Sequence, residues 1–401
     1  MKSEAIMKKA EEHVLHTYNR FPVVIERGDG AYITDADGKR YLDFCAGIAV
    51  YALGYHYPGF DEALKAQIDK IGHVSNLFYS EPLADAAEAV TASLGMSKVF
   101  FTNSGAEAVE GALKAARKYA LTKRKIAGGR VIAMKGSFHG RTVGALSVTG
   151  NDHYQEAFLP LMGGVDFAEF NDLESVKAAV RDDTCAVIME TVQGEGGIHP
   201  ADPEFIKGVR ELCDEKDILL ILDEIQCGMG RTGKMWAFEN YGVKPDIATC
   251  AKALGCGVPV GAFVLSEKAA GASLVPGDHG STYGGNPFAM AAVKAVFSIF
   301  EKDGIVEKAA EAGERLGKLL DGLAEKYPEA IAGCRGLGLI RGIEFKENVK
   351  VGSVIAAGME RGLLTLSAEG NVLRLVPPLI VTKGEIEAAA GILEESIKAA
   401  I

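Results

Sequence analysis

Residues 98–123 read KVFFTNSGAEAVEGALKAARKYALTK, and the two halves of this stretch follow different periods. Lys98–Thr102 is a short run of β-branched and aromatic residues, the composition of a buried strand. It feeds Asn103-Ser104-Gly105 and then a segment with Ala108, Ala112, Leu113 and Ala116 on one face, which predicts a helix through about Lys123. A strand that turns through glycine straight into a helix is the repeating unit of an α/β sheet. The alternation continues outward. Arg130–Met134, Ala186–Glu190, Ile218–Asp223 and Val260–Leu265 are further strand candidates, with helices expected near 203–216 and 285–302. The expected fold class is α/β.

Toward the N-terminus, Gly30–Asp35 and Lys39–Asp43 predict a strand pair around the Asp37-Gly38 turn. After about residue 303 the texture changes. Lys/Glu/Ala-rich helical stretches surround short strands at Gly338–Glu344 and Val372–Val376, and a last helix is expected from about Lys383. This reads as a smaller α/β unit. No repeats or low-complexity tracts interrupt the chain, so its parts should be tightly joined.

Charge narrows the function. The 401 residues carry 43 basic and 54 acidic side chains, a net charge of −11, with no long Lys/Arg block. A nucleic-acid partner is therefore not expected. Small anionic ligands remain open, since a local arginine or a helix N-terminus binds them whatever the overall sign. The seven cysteines include no CxxC pair and no zinc spacing, so no metal site is expected and the thiols read as reduced and cytoplasmic. The N-terminal stretch MKSEAIMKKAEEHVLHTYNRFPV is too polar for a signal peptide. Nothing approaches the roughly 20 apolar residues of a membrane span, so no membrane partner is expected either.

Lys252 stands apart. In IATCAKALGCGVPVGAFVLS, residues 247–266, it is the only charged residue. Burying an ammonium there is costly unless its pKa falls or the amine is chemically consumed. Either outcome suits a Schiff-base lysine, against the alternative of a lysine that snorkels from a strand end. Asp217–Glu224, DILLILDE, runs five apolar residues into Asp223 and so places a carboxylate at the carboxyl end of a buried strand, where open α/β sheets bind ligands. Such a group can pair with a pyridinium nitrogen, or it can merely cap a loop. Ser104 and the free N–H groups of the helix behind it suit a phosphate, although serine is also an ordinary helix cap. Gly228-Met229-Gly230-Arg231-Thr232-Gly233 matches GxGxxG and raises a competing nicotinamide-dependent dehydrogenase. Four residues separate it from Asp223, and the fingerprint wants a tight turn directly off the strand.

Taken together, the motifs resemble the class III (subgroup II) aminotransferases. The resemblance runs through TYNRFPV (17–23), YLDFCAGIAV (41–50), FTNSGAEA (101–108), SFHGRT (137–142), ETVQGEGG (190–197), LDEIQCGMGRTG (222–233), PDIATCAKALGCGVPVGA (245–262), GSTYGGNP (280–287) and LRLVPP (373–378). It implies fold type I of the pyridoxal-phosphate transferases: a large cofactor-binding domain with a mostly parallel central sheet, residues 51–302. A smaller α/β domain would be formed by residues 1–50 and 303–401. It also implies roles. Lys252 would carry pyridoxal 5′-phosphate and Asp223 would partner its ring nitrogen. Gln226 would bond the phenolic oxygen, Phe138 would stack on the ring, and Ser104, Gly105 and Ala106 would hold the phosphate. Thr282 would reach the phosphate of a second subunit, implying a homodimer with shared sites. Tyr18, Arg141, Glu195 and Arg374 would bind substrate, with Glu195 pairing Arg374 when no carboxylate is there. Val109, Gly111 and Thr191 depart from the commonest wording, none at a catalytic position.

Within the family, HVSNLFYSEP (73–82) is similar to the acetylornithine branch. Ile48 stands where ornithine δ-aminotransferases carry a tyrosine, although 4-aminobutyrate enzymes share the isoleucine. The resemblance implies transfer of the terminal amine of N-acetylornithine to 2-oxoglutarate, a step of arginine biosynthesis. A 4-aminobutyrate or other ω-amine donor is the alternative.

Overall fold

The computed structural model describes residues 2–401. A seven-stranded sheet forms its centre: β1 (Lys98–Thr102), β2 (Arg130–Met134), β3 (Val165–Ala168), β4 (Thr184–Glu190), β5 (Leu219–Asp223), β6 (Ile247–Cys250) and β7 (Gly261–Leu265). The order across the sheet is β1-β7-β6-β5-β4-β2-β3. Neighbours from β6 to β3 are parallel, and β7 runs antiparallel to both β6 and β1. Six strands therefore point the same way. Every residue of β4 and β5 is buried, as expected of a parallel sheet covered on both faces.

The expected strands lie where apolar runs placed them, within one or two residues. β3 and β6 are additions. The long crossover from β5 to its parallel neighbour β6 contains no α-helix, only a 3₁₀ turn at Ala237–Tyr241. Buried Glu224 holds that turn by accepting the N–H groups of Ala237 (2.6 Å) and Phe238 (3.1 Å). The helix after β1, α1 (Gly105–Tyr119), passes into a π-helical turn at Ala120–Arg124 rather than continuing as α. Ala108, Ala112, Leu113 and Ala116 are buried as expected.

Both ends of the chain build the smaller part. Strands Ile25–Asp29, Tyr32–Asp35 and Arg40–Asp43 form a meander, and Leu363–Leu364 adds in parallel to its last strand. A four-stranded antiparallel sheet (Ile331–Leu337, Ile340–Phe345, Leu366–Ala368, Val372–Leu375) is accompanied by the helices Ile305–Lys326, Val351–Glu360 and Lys383–Ala400. Among the described residues, no helix is long and apolar enough to cross a membrane.

Gly111 shows how closely α1 lies on the sheet. A Cβ built there would stand 2.2–2.9 Å from three ring atoms of Phe263 on β7. The Phe263 ring fills the space that a side chain at position 111 would need. Gly111→Ala gains about 1 kcal/mol of helix propensity but meets an overpacking cost of about 1–3 kcal/mol. A net loss of about 1 kcal/mol is expected in urea unfolding. In a Phe263→Leu background the same change should cost nothing.

Candidate active site

Six strands of one direction deliver their carboxyl ends to one edge of the sheet, the edge where open α/β sheets bind ligands. β1 leads into Asn103 and Ser104, and β2 into Phe138, His139 and Arg141. β4 ends on Glu190, β5 on Asp223, and β6 is followed by Ala251 and Lys252. All of these residues line one cavity of about 480 Å³, a size suited to a small phosphorylated ring.

Asp223 is buried and fully engaged on its protein side. Its Oδ2 lies 2.7 Å from His139 Nδ1, and its Oδ1 accepts the N–H of Ile225 at 3.0 Å. Burial opposes a charge on His139, but the hydrogen bond and charge of Asp223 outweigh it and raise the imidazole above its ordinary pKa. The two side chains form a close, buried pair. Among the described residues His139 Nε2 has no partner, while the His139 N–H donates to Thr149 Oγ1 at 3.0 Å.

Glu190 lies directly opposite Asp223 in the β4–β5 register. Burial pushes its carboxyl up to about 7, and Asp223 adds to the rise while His139 opposes it. Its two oxygens accept the N–H groups of Phe138 (3.1 Å) and Gly194 (3.2 Å). One side chain therefore ties together the two loops that wall the cavity.

Lys252 is pulled below the ordinary lysine pKa by burial, against the opposing charges of Glu195 and Asp223. Its backbone takes φ 49°, a left-handed conformation that is costly for a residue with a Cβ and that recurs at functional sites. A low-pKa amine on a conformationally fixed backbone is equipped to be a nucleophile and a base.

Ser104 is the N-cap of α1, its Oγ accepting the N–H of Glu107 at 3.2 Å. The N–H groups of Gly105 and Ala106 in the first turn have no intrahelical partners, which makes this end of the cavity an anion site. A Cβ on Gly261 of β7 would stand 2.2 Å from Ser104 O, so glycine there lets the turn sit against the sheet.

Gln226 lines the cavity and links it to a buried ion pair. Its Nε2 donates to Glu195 Oε1 at 3.2 Å, and its Oε1 accepts from Arg374 Nη1 at 3.2 Å. Arg374 Nη1 also donates to Glu195 Oε1. Burial would raise the Glu195 carboxyl, but the charge and hydrogen bond of Arg374 hold it below its ordinary value. Arg141 lies on the cavity wall with its guanidinium over the Tyr154 ring, 3.8 Å from the centroid.

Lys252, Asp223, Ser104, Gly105, Ala106, Phe138, Gln226 and Arg141 thus come together in one cavity, with Glu195 and Arg374 joined to it through Gln226. Two expected residues stand apart from it. Thr282 is exposed and outside the cavity wall. Tyr18 is 69% exposed and lines a different groove, with Cys45, Ile48 and Ser367. His139 and Glu190 had no role in the sequence reading. The signal for Glu190 was available, since β4 and β5 are both apolar runs that end in an acid.

The glycine motif is not a nucleotide site. Residues 228–233 form buried turns with no phosphate-binding helix behind them. Arg231, nearly inaccessible, donates to Leu339 O at 3.3 Å and to Pro377 O, joining this turn to the C-terminal part of the chain. The dehydrogenase alternative loses its only support.

The donor set fits pyridoxal phosphate. A buried amine, a buried carboxyl group and a helix N-terminus share one cavity, one for each of its aldehyde, ring nitrogen and phosphate.

Comparison with known proteins agrees. Residues 14–397 match the family described as aminotransferase class III. Acetylornithine aminotransferase of Gloeobacter violaceus is 46% identical over 97% of this chain and 96% of its own. That of Methanocaldococcus jannaschii is 46% identical over 98% of both chains. Among solved structures, ornithine aminotransferase from Toxoplasma gondii superposes with a TM-score of 0.95 at 31% identity, covering 99% of this chain and 95% of that one. Acetylornithine aminotransferase from Elizabethkingia anophelis gives a TM-score of 0.88 at 31% identity and covers 99% of both. With its motifs on one sheet edge and its whole length matched, this chain is a member of the class III aminotransferases.

Proposed function

We propose that the enzyme transfers the terminal amine of N-acetylornithine to 2-oxoglutarate, giving N-acetylglutamate semialdehyde and glutamate in arginine biosynthesis, with pyridoxal 5′-phosphate as cofactor. The observation that carries the choice of donor is the full-length likeness to acetylornithine aminotransferases at 43–46% identity in eight relatives. The site supports it through two arginines in different states. Arg374 is paired with Glu195, whereas among the described residues Arg141 has no carboxylate within salt-bridge distance.

The roles follow from position. Lys252 would carry the cofactor, Asp223 would hold a proton on its ring nitrogen, and His139 would fix the Asp223 carboxyl in place through its hydrogen bond. Ser104, Gly105 and Ala106 would hold the phosphate, Gln226 the phenolic oxygen, and Phe138 a ring face. Pyridoxal phosphate, when bound, supplies the electron sink that makes a proton on the amine-bearing carbon removable. Lys252 Nζ takes that proton as general base, and its lowered pKa keeps it available to do so. Arg141 clamps the carboxylate remote from the reacting carbon, as a planar guanidinium can. Glu195 neutralises Arg374 while an amine chain occupies the site and releases it to the α-carboxylate of 2-oxoglutarate. Tyr18, in the neighbouring groove, contributes to the substrate entrance. Exposed Thr282 serves the phosphate of a second subunit, so the working unit is a homodimer. We place the enzyme in the cytoplasm on its seven free thiols.

The function is tested by half-reactions. Purified holoenzyme is mixed with N-acetylornithine, ornithine, 4-aminobutyrate or succinyl-diaminopimelate, and the cofactor absorbance is followed. N-Acetylornithine should react fastest, and a faster reaction with 4-aminobutyrate would transfer the assignment to that donor. Glu195→Gln should slow the N-acetylornithine half-reaction about 10- to 100-fold, about 1.4–2.8 kcal/mol of barrier, and leave the glutamate half-reaction intact. Equal losses would make the ion pair a fixed structural one. Shared sites predict that inactive Lys252→Ala chains and chains crippled at Thr282 recover part of the activity when verified heterodimers form, measured as turnover after subunit exchange.

A further inference from the structure

The guanidinium of Arg141 is held by aromatic faces, with no acidic partner among the described residues. It lies 3.8 Å from the centroid of Tyr154 and 5.4 Å from that of Phe138. The two rings meet edge to face, with centroids 6.2 Å apart and an interplanar angle of 85°. Phe138 lines the cavity, and Tyr154 is not part of its wall.

The backbone on both sides of this stack is pinned. Before Tyr154, Asn151 caps the short helix Asp152–Gln155 by accepting the His153 N–H at 3.1 Å. After it, Gln155 Nε2 donates to Leu146 O (2.9 Å) and Thr149 O (2.8 Å). On the Arg141 side, Glu110 of α1 accepts from Thr142 Oγ1 (2.6 Å) and the Gly144 N–H (3.0 Å). Arginine and tyrosine are thus set at a fixed spacing by hydrogen bonds that use neither side chain.

We infer that Tyr154 is a positioning residue for substrate specificity: its ring face holds the Arg141 guanidinium so that the in-plane N–H groups meet a carboxylate remote from the reacting carbon. The inference rests on the role proposed above for Arg141. A stacked guanidinium is attracted through its face and keeps its edge donors for a bidentate carboxylate. A salt bridge in the same place would occupy those donors and compete with substrate. The stack also limits the rotamers that a long side chain would otherwise lose on binding. No hydroxyl is needed for any of this, only the aromatic face.

The test compares Tyr154→Phe with Tyr154→Leu in the holoenzyme. Glutarate, a dicarboxylate that cannot react, is titrated by calorimetry, and the half-reaction with L-alanine, which has no remote carboxylate, is followed in parallel. The phenylalanine variant should bind glutarate within about twofold of wild type, and the leucine variant about tenfold more weakly, the scale of one cation–π contact. Both should keep the alanine half-reaction rate, and with N-acetylornithine the leucine variant should show a raised KM at nearly constant kcat. Unchanged glutarate binding in the leucine variant would overturn the inference. So would equal weakening in both variants, or a matching loss of the alanine reaction, which would mark Tyr154 as a packing residue. Absence of glutarate binding in wild type would end this inference alone, because the N-acetylornithine half-reaction judges the proposed function separately.

Discussion

A carboxylate on the last residue of a fully buried strand has no water to answer its charge. Asp223 is answered by His139 Nδ1 at 2.7 Å and by the backbone of Ile225, and much of the architecture is arranged so that this can happen. The histidine belongs to the loop after β2, which is separated from β5 by β4. The loop must therefore lie over the end of β4, where Glu190 receives it by accepting the Phe138 N–H. Strand order, loop path and the hydrogen bonding of one buried aspartate are a single constraint.

The other charged groups around the cavity follow the same rule. An unpaired ion in the interior would cost several kcal/mol, about the stability margin of a whole domain. Asp223 has His139, and Glu195 has Arg374. Glu190 and Lys252, without close ion-pair partners, are pushed by burial toward their neutral forms. The acid–base groups of the site are therefore those that the fold could pair and those whose charged form burial disfavours. Reactivity at Lys252 comes from the same desolvation that makes it expensive as an ion.

The layers and the centre of the site were legible because burial writes itself into sequence. β1 and β2 are apolar runs flanked by turn residues, and their bounds were readable directly. Lys252 was conspicuous as one charge among nineteen uncharged neighbours. Two strands of the smaller sheets lack that contrast. Ile25–Asp29 is largely exposed and three-fifths charged, and Ile331–Leu337 is a half-buried strand with two glycines. The β5–β6 crossover was not legible as a 3₁₀ turn, since it depends on Glu224 reaching Ala237 and Phe238, a tertiary contact. His139 stood in a motif read for its neighbours, and its meaning came only from the residue it meets 84 positions later. Arg231 is the reverse case, a residue inside a suggestive glycine pattern whose bonds reach distant carbonyls.

The parallel pairing of Leu363–Leu364 with Arg40–Asp43 bears on how the chain is made. Lys39 Nζ reinforces it with bonds to Met359 O and Glu360 O, more than 300 positions later. On the ribosome the meander emerges before Leu363–Leu364 and has an open edge until that segment has followed. At about 5–20 residues per second, that edge waits roughly 15–60 s for its partner. The central sheet can close during this interval, whereas the smaller part cannot. The open edge of its first strands is closed only when Leu363–Leu364 has been made.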